Sequence, residues 1–148
     1  MSANQDFVIC RGTAEDLAEI KRLADANKKD LGFVLGATIL DGLANERCFV
    51  ARERLSGKVI GFVHFRHRRD GKTKLYQICV DCEFRRSGCG AALVETLATS
   101  ARYKGMAEIL LVCPDDSCAN GFYERLGFVA TALRPGRVRF LQEWKLPL

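Results

Sequence analysis

Lys74-Leu75-Tyr76-Gln77-Ile78-Cys79-Val80, then Arg85-Arg86-Ser87-Gly88-Cys89-Gly90, then Leu93, Val94, Leu97 and Ala101 at helical spacing, form the stretch that decides the fold. The first run is rich in β-branched and aromatic residues and reads as a strand. The last reads as the apolar stripe of a long helix, with Gly105 placed to end it. Glycines between a strand and a helix let backbone approach a ligand closely, and the free N–H groups of a helix start favour phosphate. Arg85 and Arg86 add charge-assisted donors. A plain strand-to-helix turn with solvated arginines is the competing reading of this piece alone.

Working outward, Phe7-Val8-Ile9-Cys10 reads as a first strand. Thr13 is a candidate N-cap with Asp16 three residues on, followed by Leu17, Ile20, Leu23 and Ala24 at helical spacing. A second helix is expected around Leu35, Ile39 and Leu43, against the resistance of Gly32, Gly36 and Gly42. Cys48 to Arg52, Lys58 to Arg66 and Lys74 to Val80 read as strands punctuated by Ser56-Gly57 and Asp70-Gly71. Ile109-Leu110-Leu111-Val112 predicts a strand buried on both faces. Ser117 is placed to cap a short helix ending before Gly127. Phe128 to Leu133 and Arg137 to Leu146, joined by Arg134-Pro135-Gly136, predict a last hairpin. The expected order is β-α-α-β-β-β-α-β-α-β-β, a mixed α/β domain over residues 1–148.

A chain of 148 residues, 48% hydrophobic and 28% charged, supports one packed core without metals or disulfides. No apolar run approaches a bilayer span, and the polar start Met1-Ser2-Ala3-Asn4-Gln5-Asp6 lacks the layout of a secretion signal. A soluble cytoplasmic protein is the expectation, with no membrane partner. The net charge of +5 suits an anionic ligand such as a phosphorylated cofactor and does not by itself indicate nucleic acid. Most of the 7 cysteines, such as Cys10, Cys48 and Cys79, fall where small buried hydrophobes belong. Cys79-Val80-Asp81-Cys82 with Cys113 and Cys118 has poor zinc-ligand spacing, so no metal is assigned.

Other phosphate motifs fit less well. A dinucleotide fingerprint requires a glycine where Leu93 stands and an acid at the end of the next strand, whereas Glu108 stands at its beginning. Gly71-Lys72-Thr73 resembles a P-loop tail, but Arg66 occupies the upstream glycine position and a strand follows. By contrast, Arg85-x-x-Gly88-x-Gly90 after Val80 resembles the acetyl-CoA pyrophosphate loop of the GNAT superfamily of N-acetyltransferases, written Q/R-x-x-G-x-G/A. Asn120-Gly121-Phe122-Tyr123-Glu124-Arg125-Leu126-Gly127-Phe128 resembles that superfamily's second signature, and the order of elements matches as well.

The resemblance implies a GNAT-like, mostly antiparallel central sheet with strands four and five splayed, about four flanking helices, and acetyl-CoA as cosubstrate. It implies that the backbone at Ile78 and Val80 binds pantetheine. Arg85, Arg86, Ser87, Gly88, Cys89, Gly90 and Ala91 would form the pyrophosphate loop, and Asn120 would contact the cofactor. Tyr123 matches the usual general acid, a donor to the leaving thiolate; its competing reading is helix packing. A glutamate common on strand four or five of relatives is missing, so the base is unassigned, with Tyr76, Gln77 and His64 available to orient a water. Cys79 and Cys82 as acetyl-carrying thiols are a minor alternative.

Acceptor sites in the family are built by the first two helices, the loop between them and the final hairpin, here bearing Lys28, Lys29, Asp30, Asp41, Arg134, Arg137 and Arg139. Their mixed signs leave the amine, on a small molecule or a protein, open. The cluster Arg66-His67-Arg68-Arg69 reads chiefly as a solvated hairpin end. Two other functions stand beside the transferase: a catalytically silent acetyl-CoA sensor and a cysteine-metal interaction domain. A homodimer through the last strands is left open.

Overall fold

The computed structural model describes residues 6–31 and 34–148; Gly32, and the chain start before Asp6, lie outside the described residues. In chain order the elements are β1 (Phe7–Arg11), α1 (Leu17–Ala26), α2 (Lys28–Leu31), α3 (Gly36–Ala44), β2 (Cys48–Glu53), β3 (Val59–His67) and β4 (Lys72–Val80), followed by α4 (Cys89–Tyr103), β5 (Glu108–Pro114), α5 (Ala119–Arg125), β6 (Val129–Pro135) and β7 (Phe140–Pro147). The order agrees with the sequence expectation, except that the short α2 had not been separated from its neighbours. The strands form one sheet in the order β1-β2-β3-β4-β5-β7-β6. Strands β1 and β2, β2 and β3, β5 and β7, and β6 and β7 pair antiparallel. Strands β4 and β5 pair parallel from Lys72↔Glu108 to Lys74↔Leu110. Strand β5 pairs with β7 from Glu108↔Pro147 to Pro114↔Leu141.

The chain condenses into two compact units. One takes in the residues up to Phe65 together with Gln77–Leu97, the other Arg66–Tyr76 together with Ala98–Leu148. In the first, the apolar stripe of α1 buries Ile20, Leu23 and Ala24, and α3 buries Ile39 and Leu43. These pack with Val50, Val59, Phe62 and Cys79 into one core, the ordinary outcome of a helix stripe on a sheet face. Asp16 does more than begin α1. Its carboxylate accepts from the Thr13 N–H at 2.9 Å and pairs with the Arg52 guanidinium, so the charge is compensated where it is buried.

In the second unit, β5 alternates rather than burying both faces. Ile109, Leu111 and Cys113 are buried, whereas Leu110 and Val112 are half-buried. The final hairpin also differs from its expected bounds. Pro135 pairs with Phe140, and the Gly136 N–H donates to the Arg139 carbonyl at 2.9 Å, so the tip lies over 136–139. Strand β6 is at the sheet edge, where proline's missing N–H removes no ladder bond. The basic end of β3 is not wholly solvated either. His67 Nδ1 lies 2.7 Å from the Thr73 hydroxyl and Nε2 lies 3.0 Å from the Ser100 hydroxyl, while Arg68 pairs with Asp70.

Candidate functional site

The glycine turn belongs to the first unit and is built from the end of β4. Ile78 and Val80 are half-buried on one face of the strand and Cys79 is buried on the other, as a period of two requires. Beyond Val80, the Asp81 N–H donates to the Ile60 carbonyl at 2.8 Å, and its carboxylate accepts from the Glu83 N–H at 3.0 Å. This turns the chain into a 3-10 helix over Cys82–Phe84. The Ser87 hydroxyl then donates to the Phe84 carbonyl and accepts from the Cys89 N–H at 3.4 Å.

Two residues of the turn are left-handed, Arg86 at φ 67° and Gly88 at φ 86°. For an arginine that conformation costs on the order of 1 kcal/mol, a cost that recurs at ligand clamps. A Cβ at Gly88 would meet nothing within 4 Å, so it is the backbone angle and not crowding that calls for glycine. Helix α4 follows with no acidic residue in its first turn. The Ala92 N–H already donates to the Gly88 carbonyl; the amides of Gly90 and Ala91 belong to the first turn, which has no intrahelical acceptors. With the helix dipole and the two arginines, the turn is suited to an anion.

The side chain of Cys89 is not open to such a ligand. The thiol is buried, and burial pushes its pKa up to about 11. Its seat depends on Gly61 of β3, where a Cβ would stand 3.2 Å from the Cys89 sulfur and 3.1 Å from the Cys79 carbonyl oxygen. Gly61 was not among the residues singled out from sequence, although a lone glycine inside a strand pattern is the signal of such close approach. Arg85 is likewise engaged within the protein, donating from its guanidinium to the Asn27 side-chain oxygen and from Nε to the Val80 carbonyl at 3.3 Å. Of the groups considered for orienting a water, His64 and Gln77 are brought together. His64 Nδ1 lies 2.9 Å from Gln77 Oε1, and burial lowers the histidine's pKa below its ordinary value. Tyr76 belongs to the second unit.

The second signature lies entirely in the second unit. The Asn120 side chain ties the start of α5 to β5 and β7. Its oxygen accepts from the Trp144 indole N–H at 2.8 Å and from the Cys113 thiol at 3.1 Å. Its nitrogen donates to the carbonyls of Pro114, Asp115 and Ser117 at 3.0, 3.1 and 2.9 Å. The Ser117 hydroxyl accepts from the Ala119 N–H at 3.1 Å, close to the expected cap. Tyr123 is buried on α5, its ring edge-on to Phe128 at 5.6 Å and tilted to Trp144 at 6.4 Å. Both side chains therefore carry the packing of α5, whatever else they do. Trp144 had no role in the sequence expectation, since a tryptophan on a terminal strand announces no partner until the strand order is known.

Burial pushes the Cys48 thiol up to about 12, with the Asp16 charge adding to the effect. Cys79 is buried with its sulfur 3.7 Å from the Leu23 carbonyl oxygen, whereas Cys82 is exposed. Among the described residues no group of three or more His, Cys, Asp or Glu is placed to hold a metal ion. Nor is any helix among them long and apolar enough to cross a membrane.

Comparison with known proteins bears on the same elements. No curated protein matches the sequence. Among solved structures, the chain is similar to Ard1 from Thermoplasma volcanium, at 24% identity and TM-score 0.87, over 97% of this chain and 98% of that one. The ribosomal-protein-S18-alanine N-acetyltransferase from Escherichia coli is similar at 23% identity and TM-score 0.79, over 95% and 93% of the two chains. The putative acetyltransferase yncA from Salmonella typhimurium, solved with its cofactor acetyl-CoA, aligns at 20% identity and TM-score 0.80 over 97% and 94%. These likenesses establish the fold. The model of the acetyltransferase (GNAT) domain matches residues 44–130, a span that runs from β2 through the glycine turn and α5. With more than half of its length matched, the chain belongs to the GNAT acetyltransferase family.

Proposed function

We propose that residues 1–148 act as a single N-acetyltransferase domain that moves the acetyl group of acetyl-CoA to a primary amine in the cytoplasm. The observation that carries this reading is the turn after β4: left-handed Arg86 and Gly88 leading into a helix whose first turn has no acid. In this reading the backbone N–H groups from Arg86 to Ala91, with the charge of Arg85, hold the pyrophosphate, and the backbone at Ile78 and Val80 binds pantetheine. Asn120 contributes by fixing the start of α5, since its polar atoms already have protein partners. The neutral amine attacks the acetyl carbonyl to form the C–N bond. The tetrahedral adduct collapses by breaking the C–S bond, and the amine's proton leaves through water. His64 and Gln77 are suited to orient that water, and the Tyr123 hydroxyl donates to the departing sulfur.

The acceptor is an amine on a small molecule or a protein; an N-acetyltransferase of a ribosomal protein is among the similar structures. The second reading, a silent acetyl-CoA sensor, draws on the commitment of Asn120 and Tyr123 to packing and on the lack of a carboxylate along Lys74–Val80. Calorimetric titration with acetyl-CoA under reducing conditions, with ADP as control, tests the cofactor. Saturable binding near one per chain and much tighter than ADP is expected, and well-folded protein that does not bind overturns both readings. Turnover with a panel of amines then separates the enzyme from the sensor.

A further inference from the structure

The end of α1 and the cofactor turn are joined by a continuous polar clasp. Asn27 is the C-cap of α1, its N–H donating to the Ala24 carbonyl at 3.1 Å and its side-chain nitrogen to the Leu23 carbonyl at 2.9 Å. Its side-chain oxygen accepts from the Arg85 guanidinium. Arg85 Nε closes the arrangement on the Val80 carbonyl at 3.3 Å, spanning the base of the turn. Helix α1 has no basic residue in its own last turn. The guanidinium therefore also supplies the positive charge that a helix C-terminus favours.

We infer that Asn27 is a positioning residue of the cofactor turn, acting through Arg85: the clasp holds the chain from Val80 to Arg85 so that left-handed Arg86 and Gly88 present their amides before the ligand arrives. The inference rests on the acetyl-CoA reading of the turn and deepens it. Arg85 serves as a strut between α1 and the turn, and its charge reaches the pyrophosphate from that fixed place. A turn ordered in advance loses less entropy on binding. Were Arg85 instead a mobile phosphate ligand, Asn27 would compete with the cofactor, and removing it would tighten binding.

The two roles predict opposite changes in acetyl-CoA affinity, measured by calorimetry on the full chain at a temperature where every variant is folded by circular dichroism. For Asn27→Ala the dissociation constant should rise roughly tenfold, the size of one hydrogen bond to a charged group. Asn27→Asp, which keeps an acceptor for the guanidinium, should restore most of that loss. In an Arg85→Ala background, Asn27→Ala should cost nothing further. A purely structural cap would lower the unfolding temperature and leave the dissociation constant unchanged. Unchanged or tighter binding by Asn27→Ala overturns the inference, as does Asn27→Asp as weak as Asn27→Ala. Wild-type protein that does not bind acetyl-CoA overturns the proposed function and this inference with it.

Discussion

At Gly88 the backbone stands at φ 86° with open space where a side chain would go. Any side chain is strained there, and a carboxylate would add like charge to an anion site. Gly88→Glu is therefore expected to abolish acetyl-CoA binding, measured by calorimetry on protein shown to be folded. Unchanged affinity would remove the pyrophosphate from this turn. Tyr123 poses a different question, because its ring packs against Phe128 and Trp144 whether or not its hydroxyl takes part in chemistry. Tyr123→Phe keeps the ring and removes only the hydroxyl. If the hydroxyl donates to the leaving sulfur, turnover should fall about 100-fold with little change in acetyl-CoA affinity. A variant as active as the wild type would leave Tyr123 a packing residue. Both positions stand out in the sequence by motif, and packing on its helix was already a reading of Tyr123; that its ring meets Phe128 and Trp144 was not legible there.

Two contacts between elements are open to direct test. Asn120 satisfies the indole N–H of Trp144, the only tryptophan of the chain, so its fluorescence reports on the α5–β7 contact. Asn120→Ala removes the side-chain oxygen that accepts from that indole N–H. Urea unfolding should show a loss of about 2 kcal/mol, with red-shifted native emission. In the first unit, a methyl at Gly42 of α3 would stand 2.6 Å from His64 Nε2. Gly42→Ala must displace the ring and strain its bond to Gln77. The helix-propensity gain of alanine, about 1 kcal/mol, is then outweighed by an overpacking cost of about 1–3 kcal/mol. A midpoint of urea unfolding at or above the wild-type value would show that the ring yields freely. From sequence, Gly42 counted only as a residue unfavourable to a helix; which side chain it faces depends on β3 lying beneath α3.

At the scale of the whole molecule the two histidines contribute to the response to acid. Burial is the first cause of lowered pKa for both His64 and His67, with Lys104 adding to the effect at His67. The folded protein therefore holds them neutral below the ordinary value of 6.5, where the unfolded chain takes up protons. Their contribution to stability is full above that value and is lost as pH falls from 6.5 toward the lower folded values. The urea midpoint should drop between about pH 7.5 and about pH 5.5, and by less in a His64→Gln, His67→Gln variant. An equal drop in both would assign the acid sensitivity to other groups.

Local patterns determined much of this protein. Period-two runs marked the strands and Leu93 to Ala101 marked α4, because side-chain periodicity is imposed by backbone geometry wherever one face is buried. The turn at Gly88 was legible for a similar reason, since few sequences tolerate a left-handed residue immediately before a helix. Contacts between residues distant in sequence were decided only by tertiary structure. Among them are Arg85 on Asn27, Asn120 on Trp144, Gly61 beside Cys89 and His67 between Thr73 and Ser100. The tip of the last hairpin belongs with them, its register set by the pairing of β6 with β7 and not by the proline and glycine that suggested an earlier turn. A hydrogen bond or a close approach leaves no periodic trace in either partner; it exists only once the strand order has brought the two together.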